Sequence, residues 1–134
     1  MTYLLDTDTC IYALKQDANV LAQLLSKRRD EIAVSVITEA ELRTGAAKSA
    51  SPVKTLRLLE NFLRPLAIAD FTSDDAIACA QVRAKLERAG TPIGPMDTLI
   101  VAQAVARKLT LVTNNEREFR RVAGLKVENW LLEG

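Results

Sequence analysis

The chain has 134 residues, 49% of them hydrophobic and 26% charged, with a formal net charge of +1 and no histidine. This composition suits one globular unit with its own apolar core and excludes extensive disorder, and the near-neutral charge gives no global attraction to nucleic acid or anionic membrane. Without histidine, Ser-His-Asp, Cys-His and histidine acid–base chemistry and Cys/His zinc sites are excluded, so any catalysis rests on carboxylates, hydroxyls, lysines or a metal.

The first predicted element is a strand over Tyr3-Leu4-Leu5 that stops at Asp6 and turns at once into a helix through Asp6-Thr7-Asp8-Thr9. Cys10, Ile11 and Leu14 share one face of that helix, and Val20, Leu21, Leu24 and Leu25 form the stripe of a second, which ends in Lys27-Arg28-Arg29. A strand over Ile32–Ser35 precedes a helix from Thr38 to Lys48 that carries Ala40, Glu41 and Leu42 and slackens near Gly45. Pro52 opens a helix with Leu56, Leu59, Phe62 and Leu63 on its apolar face. Leu66–Ala69 reads as a third strand, and Ser73 as the cap of a long helix from Asp74 to Arg88, stopped by Gly90 and Pro92. Gly94-Pro95 opens a helix whose stripe is Leu99, Ile100, Ala102, Gln103 and Val105-Ala106. Leu109–Val112 is a fourth strand, Asn114-Asn115 starts a short helix through Arg121, and Leu125–Trp130 supplies a last strand. Strands alternating with helices predict an α/β fold, a three-layer α/β/α sandwich with a mostly parallel central sheet.

Cys10 and Cys79 fall inside helical patterns far apart in sequence and are expected to be buried free thiols. No apolar run reaches the roughly 18 residues of a membrane span, and no basic-then-apolar signal segment precedes the first strand, so a cytoplasmic protein is expected.

Acids recur where strands end or helices begin. Asp6 closes the first strand, with Asp8 beside it as the expected cap of the following helix. Glu41 follows Thr38 at capping-box spacing, and Asp97 falls in the first turn after Pro95, where the helix dipole favours an acid. Asn115-x-x-Glu118 also has the spacing of a cap with its partner. Each has a structural explanation singly. In a parallel sheet, however, all the carboxyl ends share one edge, and ligands bind there. Carboxylates crowded at that edge raise one another's pKa, a conflict that a hard divalent cation with oxygen ligands removes. Metal-assisted phosphodiester hydrolysis follows without any histidine.

The ordered set of stretches Leu5-Asp6-Thr7-Asp8-Thr9-Cys10-Ile11-Tyr12, Ser35 to Gly45, Gly90 to Ile100, Leu111 to Phe119 and Gly124 to Trp130 resembles the PIN-domain family, and within it the VapC toxins of type II toxin–antitoxin pairs. The resemblance covers the chain end to end, as a single PIN domain over residues 1–134. It implies a Mg²⁺-dependent endoribonuclease, with Mn²⁺ as a substitute, inhibited by a cognate VapB-type antitoxin, homodimeric, and meeting DNA only through the antitoxin. It places metal-binding roles on Asp6 and Asp97 and makes Glu41 a further acid of the active site. The long helix after Ser73 and the Gly-Thr-Pro-Ile-Gly-Pro run resemble the subgroup that cuts initiator tRNA in the anticodon region. Much of the family has an acid where this chain has Asn115. Asn115 can still offer an oxygen, Glu118 can supply the missing charge, and the Thr113 hydroxyl can orient a neighbouring carboxylate. Arg43, Arg117, Arg120 and Arg121 are candidates to hold RNA phosphates. Aromatic residues are only 4% of the chain, which favours recognition by RNA shape and backbone over base stacking.

Two rival readings use the same residues. Asp6-Thr7-Asp8-Thr9-Cys10 nearly matches the Asp-x-Asp-x-Thr motif of haloacid-dehalogenase-type phosphatases, with Asp6 as nucleophile and Asp8 as acid–base. The other is a PIN-like binding module that acts only within an antitoxin–toxin repressor complex. Any such partner is expected in a hydrophobic groove among the first helices and the Glu41 helix.

Overall fold

In the computed structural model, residues 1–132 are described; residues 133 and 134, the end of the expected 1–134 unit, lie outside the described residues. The chain runs β1 (Tyr3–Leu5), α1 (Thr7–Leu14), α2 (Ala18–Ser26), a 3-10 turn (Arg29–Glu31), β2 (Ile32–Ser35), α3 (Val36–Ala47), α4 (Pro52–Leu63), β3 (Ala67–Ala69), α5 (Ser73–Arg88), α6 (Pro95–Arg107), β4 (Thr110–Val112), α7 (Glu116–Phe119) and β5 (Lys126–Glu128).

The five strands pair in the order β3-β2-β1-β4-β5, and every pair is parallel. Alternation along each strand sends neighbouring side chains to opposite faces. Leu5, Val34 and Val112 lie in one core with Cys10, Val20, Leu24, Leu42 and Leu59 from the layer of α1 to α4, joined by Trp130 just past β5. Leu4, Ala33 and Leu111 lie in the other with Val82, Leu86, Ile100, Val101 and Phe119 from the layer of α5 to α7. Both faces of a parallel sheet must be covered, and here they are. The expected α/β/α sandwich is the observed fold.

The boundaries differ from the sequence expectations where capping chemistry offered several choices. Helix α3 starts at Val36, because Ser35 is still the last strand residue and already the cap, its hydroxyl accepting from the Ile37 amide at 3.0 Å. Thr38 is therefore buried inside the first turn, and the Thr38–Glu41 capping box does not form. Thr72 rather than Ser73 caps α5, in a reciprocal capping box with Asp75. Helix α7 stops at Phe119 rather than reaching Arg121, and the last strand is confined to Lys126–Glu128. Cys10 is buried as expected; Cys79 is only half-buried, at the wall of a cavity of about 420 Å³ beside α5 and the start of α6.

Two basic residues, Lys27 and Arg107, are committed within the fold. Lys27 lies over the rings of Tyr3 and Trp130, 5.2 Å from each centroid. The Arg107 guanidinium donates to Asp75 Oδ2 at 2.9 Å and to the Asp70 carbonyl, while Gln103 Nε2 donates to the carbonyls of Ala69 and Asp70. These contacts fasten the end of β3 and the start of α5 to helix α6.

Candidate active site

Strand β1 has β2 on one side and β4 on the other, so the chain's winding reverses between β1 and β4. Open parallel sheets bind ligands in the crevice outside their carboxyl ends at such a point. Asp6 follows β1 directly at this place, and its backbone amide donates to the Val112 carbonyl at the end of β4 at 3.0 Å. It is also the N-cap of α1, accepting from the Thr9 amide at 2.8 Å. The capping role expected for Asp8 thus belongs to Asp6; Asp8 lies exposed in the first turn. The Thr9 hydroxyl donates to the Val112 carbonyl at 3.1 Å and closes the junction from the other side. Asp6 is only 4% exposed. Burial pushes its carboxyl above the ordinary 3.8, Thr113 and Thr9 oppose that through hydrogen bonds, and the Asp8 charge adds to it.

Asp97 stands in the first turn of α6, placed there by Gly94 as cap and Pro95 as the first helical residue. Its carboxyl is pushed from 3.8 to about 6, first by burial and then by the charges of Glu118, Asp6, Glu41 and Asp8. Elements separated by most of the chain therefore deliver their acids into one electrostatic field. Glu41, in the second turn of α3, has its Oε1 at 2.7 Å from the Thr7 hydroxyl, and Thr7 is in turn 3.1 Å from the Thr38 hydroxyl. Beside Glu41, the side chains of Ile37, Ala40, Thr44 and Met96 line a shallow cavity of about 340 Å³, with Met96 50% exposed.

The fourth region is organised by hydroxyl and amide groups. Thr113 is fully buried just past β4, its backbone amide donating to the Glu128 carbonyl at 2.9 Å. Its hydroxyl accepts from the Asn115 amide at 3.0 Å. Asn115 occupies the cap position of α7 without capping it; its Nδ2 donates to Glu118 Oε2 instead. Asn115 thus holds the acid that most strongly influences Asp97.

The candidate phosphate-binding arginines are not equivalent. Arg43 pairs with Glu39 at 2.9 Å and with Glu60 at 3.5 Å. Arg120 pairs with Glu116 at 2.9 Å, and Arg121 donates to the Pro92 carbonyl at 3.3 Å. Among the described residues Arg117 is exposed and forms no ion pair, which leaves its charge free. Thr7 and Thr38 do not stand out as site residues in the sequence, although Thr38 carries a signal: its three-residue spacing to Glu41, which reads as a cap.

Residues 3–125 match the PIN domain family. The chain belongs to the PIN-domain family, in its VapC branch. The tRNA(fMet)-specific endonuclease VapC of Salmonella typhimurium is 38% identical over 97% of this chain and 98% of its own length. Ribonuclease VapC2 of Rickettsia felis is 39% identical over 97% of this chain and 98% of its own. A chain in the crystal structure of DNA-bound VapBC from Salmonella typhimurium superposes with a TM-score of 0.93 at 38% identity, covering 97% of this chain and 98% of that one. In this PIN domain the phosphatase reading of Asp6 and Asp8 is overturned by the family match.

Proposed function

We propose that the chain, as a single PIN domain, is a Mg²⁺-dependent endoribonuclease, the toxin of a type II toxin–antitoxin pair, and that it hydrolyses tRNA. The observation that carries this reading is the convergence of Asp6, Asp8, Glu41, Asp97 and Glu118 at the sheet's switch point, where burial first and the neighbouring charges second raise Asp97 to about 6. The names of the Salmonella typhimurium and Rickettsia felis relatives support ribonuclease activity, and the former supports initiator tRNA as the substrate, for which the anticodon region is our proposed cleavage site.

The donor set suits magnesium. Among the described residues no three acids stand close enough together to enclose an ion. Magnesium keeps several waters and takes one or two carboxylates plus substrate phosphate, whereas a metal needing an all-protein cage would find none here. Asp6 and Asp97 hold the ion, directly or through water, and Mn²⁺ substitutes for it. When bound, the ion supplies charge neutralisation at the phosphate and a more acidic water. Glu41 orients the attacking water and takes its proton. Thr113 steadies Asp6 through its hydroxyl, and Asn115 steadies Glu118, whose charge stands in for the acid that much of the family has at Asn115. Arg117 is the foremost phosphate contact, with Arg120, Arg121 and Arg43 more weakly engaged because each already has an internal partner.

A VapB-type antitoxin inhibits the enzyme by occupying the apolar groove between α2 and α4, where Leu21, Leu25, Phe62 and Leu66 line a cavity of about 200 Å³. DNA is met only through that antitoxin, a reading supported by the DNA-bound VapBC complex of Salmonella typhimurium. The toxin acts as a homodimer in the cytoplasm; among the described residues no helix is long and apolar enough to cross a membrane.

The test is cleavage of total bacterial tRNA by the antitoxin-free protein in Mg²⁺ or EDTA, beside Asp6→Asn. Asparagine keeps the α1 cap, so the variant isolates the carboxylate charge. One discrete fragment pair that requires both metal and Asp6 is the expected result. Intact tRNA from a folded protein that still binds its antitoxin would instead favour the repressor-complex binding module.

A further inference from the structure

Thr7 opens α1 next to Asp6, and Thr38 is fully buried in the first turn of α3, one turn before Glu41. Neither hydroxyl is needed as a cap, since Asp6 caps α1 and Ser35 caps α3. Yet the Thr7 oxygen is 2.7 Å from Glu41 Oε1 and 3.1 Å from Thr38 Oγ1. A hydroxyl has one proton and an ionised carboxylate only accepts, so Thr7 gives its proton to Glu41 and receives one from Thr38. The order is Thr38 to Thr7 to Glu41, with each bond polarising the next. Among the described residues Thr7 is the only side chain hydrogen-bonded to Glu41.

We propose that Thr7 is a positioning residue for the hydrolysis, fixing the Glu41 carboxylate at the edge of the acid cluster, with Thr38 setting the direction of the Thr7 proton. This rests on the reading of Glu41 as the group that orients the attacking water. A glutamate side chain is otherwise free to sample many rotamers, and Thr7, β-branched and stiff, is a suitable anchor. Binding Oε1 leaves the second oxygen of Glu41 without a protein partner among the described residues and available to a water.

The experiment measures steady-state tRNA cleavage in Mg²⁺ for Thr7→Val, Thr7→Ser, Thr38→Val and Glu41→Gln, with thermal midpoints recorded for each. Thr7→Val keeps the shape and removes the hydroxyl. It is expected to lower kcat by about 10- to 100-fold, the range for a misplaced catalytic group, with KM and the midpoint unchanged. Thr7→Ser restores most of the rate, and Thr38→Val gives a smaller loss in kcat at unchanged KM. Wild-type kcat in Thr7→Val overturns the proposal, as does a rate loss shared by Thr7→Ser and matched by a lower midpoint. Should Thr7→Val not fold, wild-type kcat in Thr38→Val overturns it. Failure of the underlying reading looks different: Glu41→Gln would then cleave at the wild-type rate, whatever the threonine variants do.

Discussion

Replacing Asp97 by asparagine should separate the stability of this fold from its chemistry. Burial and the surrounding acids raise the Asp97 carboxyl from 3.8 to about 6. In the unfolded chain the same group ionises near its ordinary value. Between those two pH values the native protein holds the extra proton, so the contribution to stability is fully present below pH 3.8 and is lost as pH rises through about 6. A shift from 3.8 to about 6 corresponds to about 3 kcal/mol at 1.36 kcal/mol per pH unit. Partial exposure screens it, and the α6 dipole returns some attraction for the charge, which leaves about 1–2 kcal/mol. In EDTA at pH 7.5, Asp97→Asn should therefore melt about 3–8 °C above wild type. Near pH 4 the advantage should disappear.

Saturating Mg²⁺ should reverse the order, since an ion at about 100 times its Kd stabilises the native wild type by about 2.7 kcal/mol while the variant lacks the proposed Asp97 carboxylate ligand. Cleavage should be lost with it, a trade of activity against stability common at crowded functional sites. The assay is thermal melting of both proteins from pH 4 to 8, in EDTA and in Mg²⁺. A wild type as stable as Asp97→Asn at pH 7.5 in EDTA would refute the reasoning, and so would an advantage that does not shrink toward pH 4.

Three further outcomes can be checked. Glu118 contributes the largest of the charges that raise Asp97, so in EDTA Glu118→Gln should lower the pH at which the Asp97 carboxyl titrates, followed by carboxyl-carbon NMR. Arg107→Ala leaves the carboxylate of Asp75, 1% exposed, without its cation and should cost about 3 kcal/mol in chemical denaturation. Arg117→Ala should weaken RNA binding and reduce its salt slope by about 0.7–0.9, as for one lost phosphate contact. Arg43→Ala should change that slope less, because Glu39 and Glu60 already neutralise Arg43.

The layers of the fold are legible in the sequence because each strand is a short apolar run bounded by a turn or a cap, and a parallel order brings every carboxyl end to one edge. Asp6 is placed at that edge on this argument alone, whereas Asp97 is not, because α6 follows helix α5 and no strand ends before it. Which residue caps which helix is not legible. Asp6-Thr7-Asp8-Thr9 offers four capping side chains in a row, and the choice depends on where the backbone leaves the extended region: at Asp6, with φ −75° and ψ 172°, and at Ser35, with φ −65° and ψ 145°. Both junctions pass from strand to helix with no loop between them. Residues that resemble caps, Asp8 and Thr38, are thereby moved into the helices and released for other contacts. The charge partners of Arg43 and Arg107 are equally hidden, since Glu60 and Asp75 lie on different helices.

The loopless junctions also explain why the hydroxyls meet. Strands β1 and β2 are adjacent and parallel, with Leu5 opposite Val34. Helices that start immediately after those two strands must start side by side, so the first turn of α1 faces the first turn of α3. Thr7 and Thr38, 31 residues apart in sequence, are neighbours as a direct result of that register. The same geometry carries Glu41, one turn further along α3, into the field of Asp6 and Asp97. One inserted residue at either junction would rotate the following helix by about 100°, as set by 3.6 residues per turn, and would turn Thr7 or Glu41 away from its partner. In this PIN domain the absence of a loop after β1 and β2 is therefore itself a requirement of the acid cluster.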